Sequence, residues 1–343
     1  MSRFSAIDKA KGKATMELIQ LQENIWVIQG GANIGVIAHE GRCLIIDSGM
    51  DRDVGRDILK QVQKLGLVPH ALVVTHAHAD HFGGAHYLVR QTGLKVYATR
   101  VEASVMAGPM LEPLYLFGGA QPPRELQHKF LLAKPCLTDV ILSGTERAIE
   151  GIPVEVLPLP GHSLEQVGLI YGETLFAGDA FLVPAILDKH GIPFYTDIQA
   201  GLTTLERLGA RLDGQADSPH VGDALTQVGV PKAASQAFKH IVAGHGEIYT
   251  STEQAKRVIQ YTAQRLESIL ELVREALADG APRPGSEMLQ VVARAQGVDI
   301  STLSQYVLCQ TTVQAALSAL YARGEIFPLI RENNLTWQRK NAP

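Results

Sequence analysis

Between His76 and His86 the sequence HAHADHFGGAH places four of the chain's twelve histidines and an aspartate directly behind the apolar run Ala71-Leu72-Val73-Val74. Such a run reads as a short buried strand, and the loops leaving strand ends are where α/β proteins gather ligand-binding groups. His76 and His78 flank a single alanine, and Asp80 and His81 follow at once. On a loop, this spacing lets two imidazoles meet one metal ion while the carboxylate and the third imidazole turn towards a second. Imidazole nitrogen and carboxylate oxygen suit zinc and its neighbours. One cluster cannot fill two coordination shells, so further ligands must come from elsewhere. Three later apolar runs offer them: LPLPGHS presents His162, LFAGD presents Asp179 and IVAGHG presents His245. In each, a glycine stands immediately before the polar residue, which lets the backbone turn sharply at a strand end.

Weaker candidates surround this set. Asp47, in IIDSG, is placed to orient a ligand imidazole or to form a turn before Gly49. His190 and Tyr195, in LDKHGIPFYTD, follow Asp179 closely enough to reach a substrate, or else belong to ordinary loop packing. His86 falls on the helical stretch GGAHYLVRQ and points away from the cluster.

The elements that must carry these residues alternate. ELIQLQENIWVIQ, ANIGVIAHEG and RCLIIDSG read as strands separated by turns, and DVGRDILKQVQKLG has apolar residues at helical spacing. Further strands are expected at Lys95–Ala98, Val154–Leu157, Val167–Tyr171, Thr174–Ala177 and Ile241–Val242. Two stretches read as insertions. Met106–Leu132, rich in Gly and Pro, suits a lid bearing Leu111, Leu114, Tyr115, Leu116 and Phe117. Asp213–Lys232 reads as a surface excursion. A long helix is expected over Thr252–Ala278, with Ser251 and Gln254 as a capping box. DGAPRPG then breaks the pattern and marks a boundary. Beyond it, three short helical patterns (Glu287–Ala295, Ser301–Leu308, Thr312–Arg323) and two β-prone runs joined at Asn333-Asn334 predict a winged helix.

Composition sets outer bounds. The chain has 343 residues, 46% hydrophobic and 19% charged, which suits a globular protein with a sizeable core. A formal net charge of −4 gives no reason to expect a polyanionic partner. The N-terminus lacks the apolar stretch of a secretory signal and no segment is apolar enough for a membrane span, so a cytoplasmic protein without membrane association is expected. Cys43, Cys136 and Cys309 form no CxxC pair and suggest neither a disulfide framework nor a thiolate site.

Taken in order, HxHxDH, GH, GD and GH resemble the metallo-β-lactamase superfamily, over roughly residues 17–275. The resemblance implies an α/β fold, a four-layer αββα sandwich with a metal pair at one edge. It implies that His76, His78 and His162 hold the first metal, that Asp80, His81 and His245 hold the second, and that Asp179 bridges both. With it the chain divides into an N-terminal extension (1–16), a catalytic domain (17–279) and a winged-helix-like domain (280–343). The expected cofactors are two divalent ions, zinc first, with iron or manganese as alternatives.

The chemistry implied is hydrolysis: a metal-bridging hydroxide attacks the ester, thioester or lactone carbonyl of a small, partly hydrophobic substrate, and Asp80 orients it and passes on its proton. True β-lactamases of the superfamily usually carry cysteine or serine where Asp179 stands, which counts against antibiotic hydrolysis. Hydroxyacylglutathione hydrolases and acyl-homoserine lactonases share the seven-ligand set. A phosphodiesterase or endoribonuclease using the tail is a second reading, and a mononuclear iron sulfur dioxygenase a third. Residues 283–343 carry six Lys or Arg against four Asp or Glu, a thin footprint for nucleic acid. The expected recognition segment TTVQAALSALYAR has its one basic residue at the end. The tail is therefore expected to pack or to form a homodimer.

Overall fold

A computed structural model describes residues 16–215 and 238–340. The N-terminal extension and most of the Asp213–Lys232 excursion lie outside these residues. The first half of the chain runs β1 (Glu17–Gln22), β2 (Ile25–Gln29), β3 (Ile34–His39), β4 (Arg42–Ile46), α1 (Arg52–Lys64), β5 (Val68–Val73), α2 (Ala79–Phe82), α3 (Ala85–Thr92), β6 (Lys95–Ala98), α4 (Arg100–Ala107), α5 (Leu111–Leu116) and β7 (Val140–Ile141). These seven strands form one sheet in sequence order. The chain continues with β8 (Glu155–Pro158), β9 (Val167–Tyr171), β10 (Thr174–Gly178), α6 (Pro184–His190), α7 (Ile198–Leu212), β11 (His240–Ala243), β12 (Ile248–Tyr249) and α8 (Thr252–Ala276). Its five strands form a second sheet, ordered β12-β11-β10-β9-β8.

Alternation along the strands produces the layers. On β4, Leu44 and Ile46 face inwards, where they join Val73, Val156, Leu169, Phe176 and Val242 from both sheets in one buried cluster. Cys43 and Ile45 face outwards onto Ile58 and Val62 of α1 and Leu88 of α3. Both faces of the strand are dry, so RCLII reads as a continuous apolar run with no polar face. Each such fully buried isoleucine or leucine contributes about 1.5–3 kcal/mol relative to leaving it exposed. Helices α7 and α8 cover the outer face of the second sheet. The result is the four-layer αββα sandwich.

The C-terminal region contains β13 (Arg283–Pro284), α9 (Gly285–Ala295), α10 (Leu303–Ala322), β14 (Ile326–Arg331) and β15 (Asn334–Arg339). The strands form a small sheet ordered β13-β15-β14. Two of the three short helices expected here are one, because α10 runs unbroken through Cys309-Gln310-Thr311. Its N-terminus carries a capping box between Thr302 and Gln305. Such a box was expected at Ser251, which caps α8 without a side-chain hydrogen bond. Val307, Cys309, Val313, Ala316, Leu317 and Leu320 of α10 are buried, most of them in a cluster that also holds Leu205 of α7, Leu266 of α8 and Leu175 of the second sheet. One hydrophobic core therefore crosses the break at Asp279–Gly285.

The predicted lid is more structured than a loop. It holds α5 and a 3-10 turn at Arg124–Leu126. Leu116, Leu126 and Leu131 are buried against Val307 of α10, whereas Leu111, Tyr115 and Phe117 are exposed. Among the described residues, no helix is long and apolar enough to cross a membrane.

Candidate metal centre

Parallel pairing brings the chemical loops to one edge. Strands β4 and β5 run parallel, so the residues after them, Asp47 and the segment Thr75-His76, emerge side by side. Strands β10 and β11 do the same for Asp179 and His245. Cross-links then join the two sheets at this edge: the Val167 amide donates to the Thr75 carbonyl at 3.0 Å, and the Asn33 amide donates to the Gly244 carbonyl at 2.7 Å. The Asn33 side chain adds donors to the carbonyls of Ala243 (2.9 Å) and Gly246 (3.1 Å), holding the His245 loop from both sides.

All seven side chains singled out for metal binding converge. Three groups have ligand atoms within 4.8 Å of one another: His76, His78 and His162; His76, His81 and Asp179; Asp80, His81 and His245. Asp179 stands between the first and last. Its Oδ1 lies 3.6 Å from His81 Nε2, and its Oδ2 lies 3.6 Å from His162 Nε2 and 3.3 Å from His245 Nε2.

Hydrogen bonds to the far ring nitrogen set the tautomers. A carbonyl or carboxylate oxygen can only accept, so the nitrogen facing it carries a proton and the opposite nitrogen is the one left to face a cation. His81 Nδ1 donates to Asp47 at 2.8 Å, His162 Nδ1 to the Phe194 carbonyl at 2.8 Å, and His245 Nδ1 to the Gly31 carbonyl at 2.6 Å. Thr75 spends its hydroxyl proton on Asp47 and receives His76 Nδ1–H at 3.1 Å. Four histidines thus turn Nε2 inwards. His78 differs, offering Nδ1 at 2.9 Å from His162 Nε2.

The interior of this ring suits a cation. His76 Nε2 and Asp179 Oδ1 are buried without a hydrogen-bond partner, an arrangement that is costly unless something positive lies between them. Gly244 keeps the space open, since a Cβ there would fall 2.0 Å from Asp179 Oδ1. Gly161 and Gly178 have the positive φ expected of sharp turns, but Gly244 is required by close approach instead. The residues present fit divalent cations, and Asp179 lies within reach of both histidine groups.

The electrostatics differ across the ring. Burial pushes His78 down to about 3 and lowers His76 and His162 as well, with the neighbouring imidazoles adding to the effect. Burial also opposes the charged form of His81, but the carboxylates of Asp179, Asp47 and Asp80 outweigh it and push that imidazole up to about 10. His245 behaves likewise, reaching about 12 through Asp179 and Asp80 against the pull of burial. Burial would raise Asp80, yet His81 and His245 hold it well below the usual carboxylate range.

Asp47 adopts a left-handed backbone (φ 63°) and accepts from the Thr75 amide and hydroxyl as well as from His81, so it locks two ligand segments together. Tyr195 turns into the core. It is fully buried, its hydroxyl donates to the Ala180 carbonyl at 2.9 Å, and its ring sits edge-on behind His162. His190 ends α6 with an exposed side chain, and no hydrogen bond or ion pair among the described residues joins it to the cluster.

Two acids had no signal in the sequence. Glu102, buried in the first turn of α4, accepts from the amides of Ala77 (2.7 Å) and Glu165 (3.3 Å) and from the Ser163 hydroxyl, bolting the His76–His78 loop to the His162 loop. Glu112 on α5 is also buried, and burial followed by the charge of Asp80 pushes it well above the usual carboxylate range.

The profile of the metallo-beta-lactamase superfamily matches residues 27–265. A hydroxyacylglutathione hydrolase from Serratia proteamaculans is 27% identical over 169 residues, 48% of this chain and 51% of that protein. A probable metallo-hydrolase from Bacillus subtilis is 29% identical, over 43% of this chain and 67% of that protein. The chain spans about half the length of the first of these, and 45% of a Vibrio campbellii hydroxyacylglutathione hydrolase that it also matches. Among solved structures, a beta-lactamase domain protein from Burkholderia ambifaria superposes with a TM-score of 0.66 at 17% identity, covering 98% of this chain and 96% of that one. A metallo-beta-lactamase family protein from Thermus thermophilus gives 0.62 at 16% identity, over 95% and 99%. These two likenesses concern the fold and include the C-terminal region. By its matched profile, its sandwich and the seven side chains gathered at one edge, this chain belongs to the metallo-beta-lactamase superfamily.

Proposed function

We propose that the protein is a hydrolase that works with two divalent cations, most simply zinc, and cleaves a thioester, ester or lactone of a small and partly hydrophobic molecule. The observation that carries this reading is Asp179, whose carboxylate lies within 3.6 Å of His162 in one histidine group and of His81 and His245 in the other, so that one side chain could serve both positions. His76, His78 and His162 would hold one cation, and Asp80, His81 and His245 the other. Bound there, such cations would supply Lewis acidity and would make water a stronger acid near neutral pH.

The remaining work belongs to the chain. Asp80 keeps 31% of its side chain exposed, while Asp179 keeps 7%. As the more exposed of the two carboxylates, Asp80 is the one placed to take a proton from an attacking water and return it to a leaving group. Phe194 lays its ring 5.3 Å from His78 and 5.6 Å from His162, excluding water on that side. The hydroxyacylglutathione hydrolases among the relatives support a thioester, and the apolar side chains of α5 suit a substrate with an apolar portion.

Reading RNA through the tail has less support. Most of TTVQAALSALYAR is buried on α10, and Arg323 at its end donates to Gln199 of α7 at 2.9 Å. The tail's packing against the lid and α7 supports a bracing role.

Elemental analysis of protein purified without added metal or chelator, joined to a screen of thioesters, lactones and phosphodiesters, tests the reading. About two equivalents of a divalent metal and turnover of a thioester or lactone are expected. About one equivalent of iron, with persulfide oxidation and no hydrolysis, would replace it by an oxygenase.

A further inference from the structure

We propose that Thr312, on α10 of the C-terminal region, is a positioning residue for His162: its hydroxyl fixes the two peptide groups that flank Phe194, and the Phe194 carbonyl in turn fixes the tautomer and direction of the His162 ring. This inference rests on the metal-site reading above and adds that the C-terminal region completes the first metal position.

Two adjacent threonines on α10 behave differently. Thr311 donates its hydroxyl to the Val307 carbonyl four residues back, at 2.8 Å, as a threonine inside a helix commonly does. Thr312, fully buried, donates instead across the molecule to the Pro193 carbonyl at 2.7 Å, and accepts from the Tyr195 amide at 3.1 Å. Both partners belong to the Pro193-Phe194-Tyr195 turn. Held at both ends, that turn presents the Phe194 carbonyl to His162 Nδ1 at 2.8 Å.

The same segment is tied to the His162 loop a second time, since the amides of Thr196 and Asp197 donate to the Gly161 carbonyl at 2.9 and 3.0 Å. Rotation of the Phe194 peptide would remove the acceptor that keeps the His162 proton on Nδ1. Nε2 would then share that proton and lose its lone pair for part of the time. Partners of this kind commonly change metal affinity by about 10–100-fold when removed.

The test is cobalt(II) titration of the metal-stripped full chain, followed by visible absorption, with three variants. Thr312→Val keeps the shape of the side chain and removes both hydrogen bonds. It is expected to weaken the tighter cobalt position by about 10–100-fold and to shift its absorption bands. Thr312→Ser keeps the hydroxyl and should bind within about threefold of the parent. Adding Thr312→Val to His162→Ala should weaken cobalt no further than His162→Ala alone.

Parent-like cobalt affinity and spectrum in folded Thr312→Val would overturn the proposal and leave the metal-site reading untouched. Failure of the parent itself to bind cobalt would overturn that reading instead. Should Thr312→Val not fold, Thr312→Ala takes its place. Loss of fold in both, with Thr312→Ser intact, would assign the hydroxyl to the core and end the proposal.

Discussion

The two histidine groups that share Asp179 occupy different surroundings. His76 and His162 are 0% and 5% exposed with His78 half-buried between them, while Asp80 and His245 keep 31% and 17% of their side chains open around a fully buried His81. The far nitrogens of the buried group are met by neutral acceptors, the Thr75 hydroxyl and the Phe194 carbonyl, and its imidazoles are pushed towards the neutral form. The open group lies among three carboxylates that favour protonated imidazole. A cation entering the first group displaces few protons, whereas one entering the second must compete with them. On the two-cation reading proposed above, the first position would retain its cation more firmly than the second.

The change expected to erase this difference is Asp179→Ala, which removes the carboxylate common to both. Turnover should fall by roughly 10³-fold or more, since charge stabilisation at such centres is worth several kcal/mol. Metal content should drop below that of any variant confined to one group; full activity would show the shared carboxylate to be dispensable.

Asp80→Asn isolates the open group. A loss of about 10²–10⁴-fold in kcat is expected from removing the proton-accepting carboxylate. Melting should stay near that of the parent and one metal equivalent should remain, and a variant that loses both metals would contradict the division.

Asp47→Asn probes the same group from behind. His81 loses its charged acceptor, so affinity at the second position should weaken by about 10–100-fold. Isothermal titration should find the first position weakened less, since Asp47 reaches it only through Thr75 and His76.

The smallest effect is one of pH. The three imidazoles of the first group are all pushed below their ordinary value, His78 to about 3, so affinity at the first position should vary little between pH 6 and 8. Imidazoles raised to about 10 and about 12 must release protons on binding, so affinity at the second should rise with pH, by about one decade per unit for each proton released. Equal pH slopes at the two positions would mean that the contrast in burial and charge has no bearing on binding.

Strands and ligand loops were legible because their signals are local. RCLII and VVTHAHAD announce a dry strand and a polar loop within a few residues, and the helix of Arg52–Lys64 shows its apolar spacing openly. The C-terminal helices were less so. α10 is buried on several sides and therefore lacks the single apolar stripe that sets a helix's length in sequence, so one helix was divided into two. Tyr195 was open to two readings in the sequence, substrate contact or loop packing, because it follows Asp179 closely. Its ring instead turned into the core, where its hydroxyl found the Ala180 carbonyl.

By itself the sequence determined which side chains can bind a cation and that they stand at strand ends, since ligand chemistry resides in residue type and strand ends in short-range pattern. Only the tertiary structure decided which nitrogen each imidazole offers, how Asp179 is shared, and that the C-terminal region reaches the site through Thr312. Those outcomes depend on acceptors such as the carbonyls of Gly31 and Phe194. Every residue carries a carbonyl, so nothing in the sequence distinguishes these two until folding brings them against a histidine.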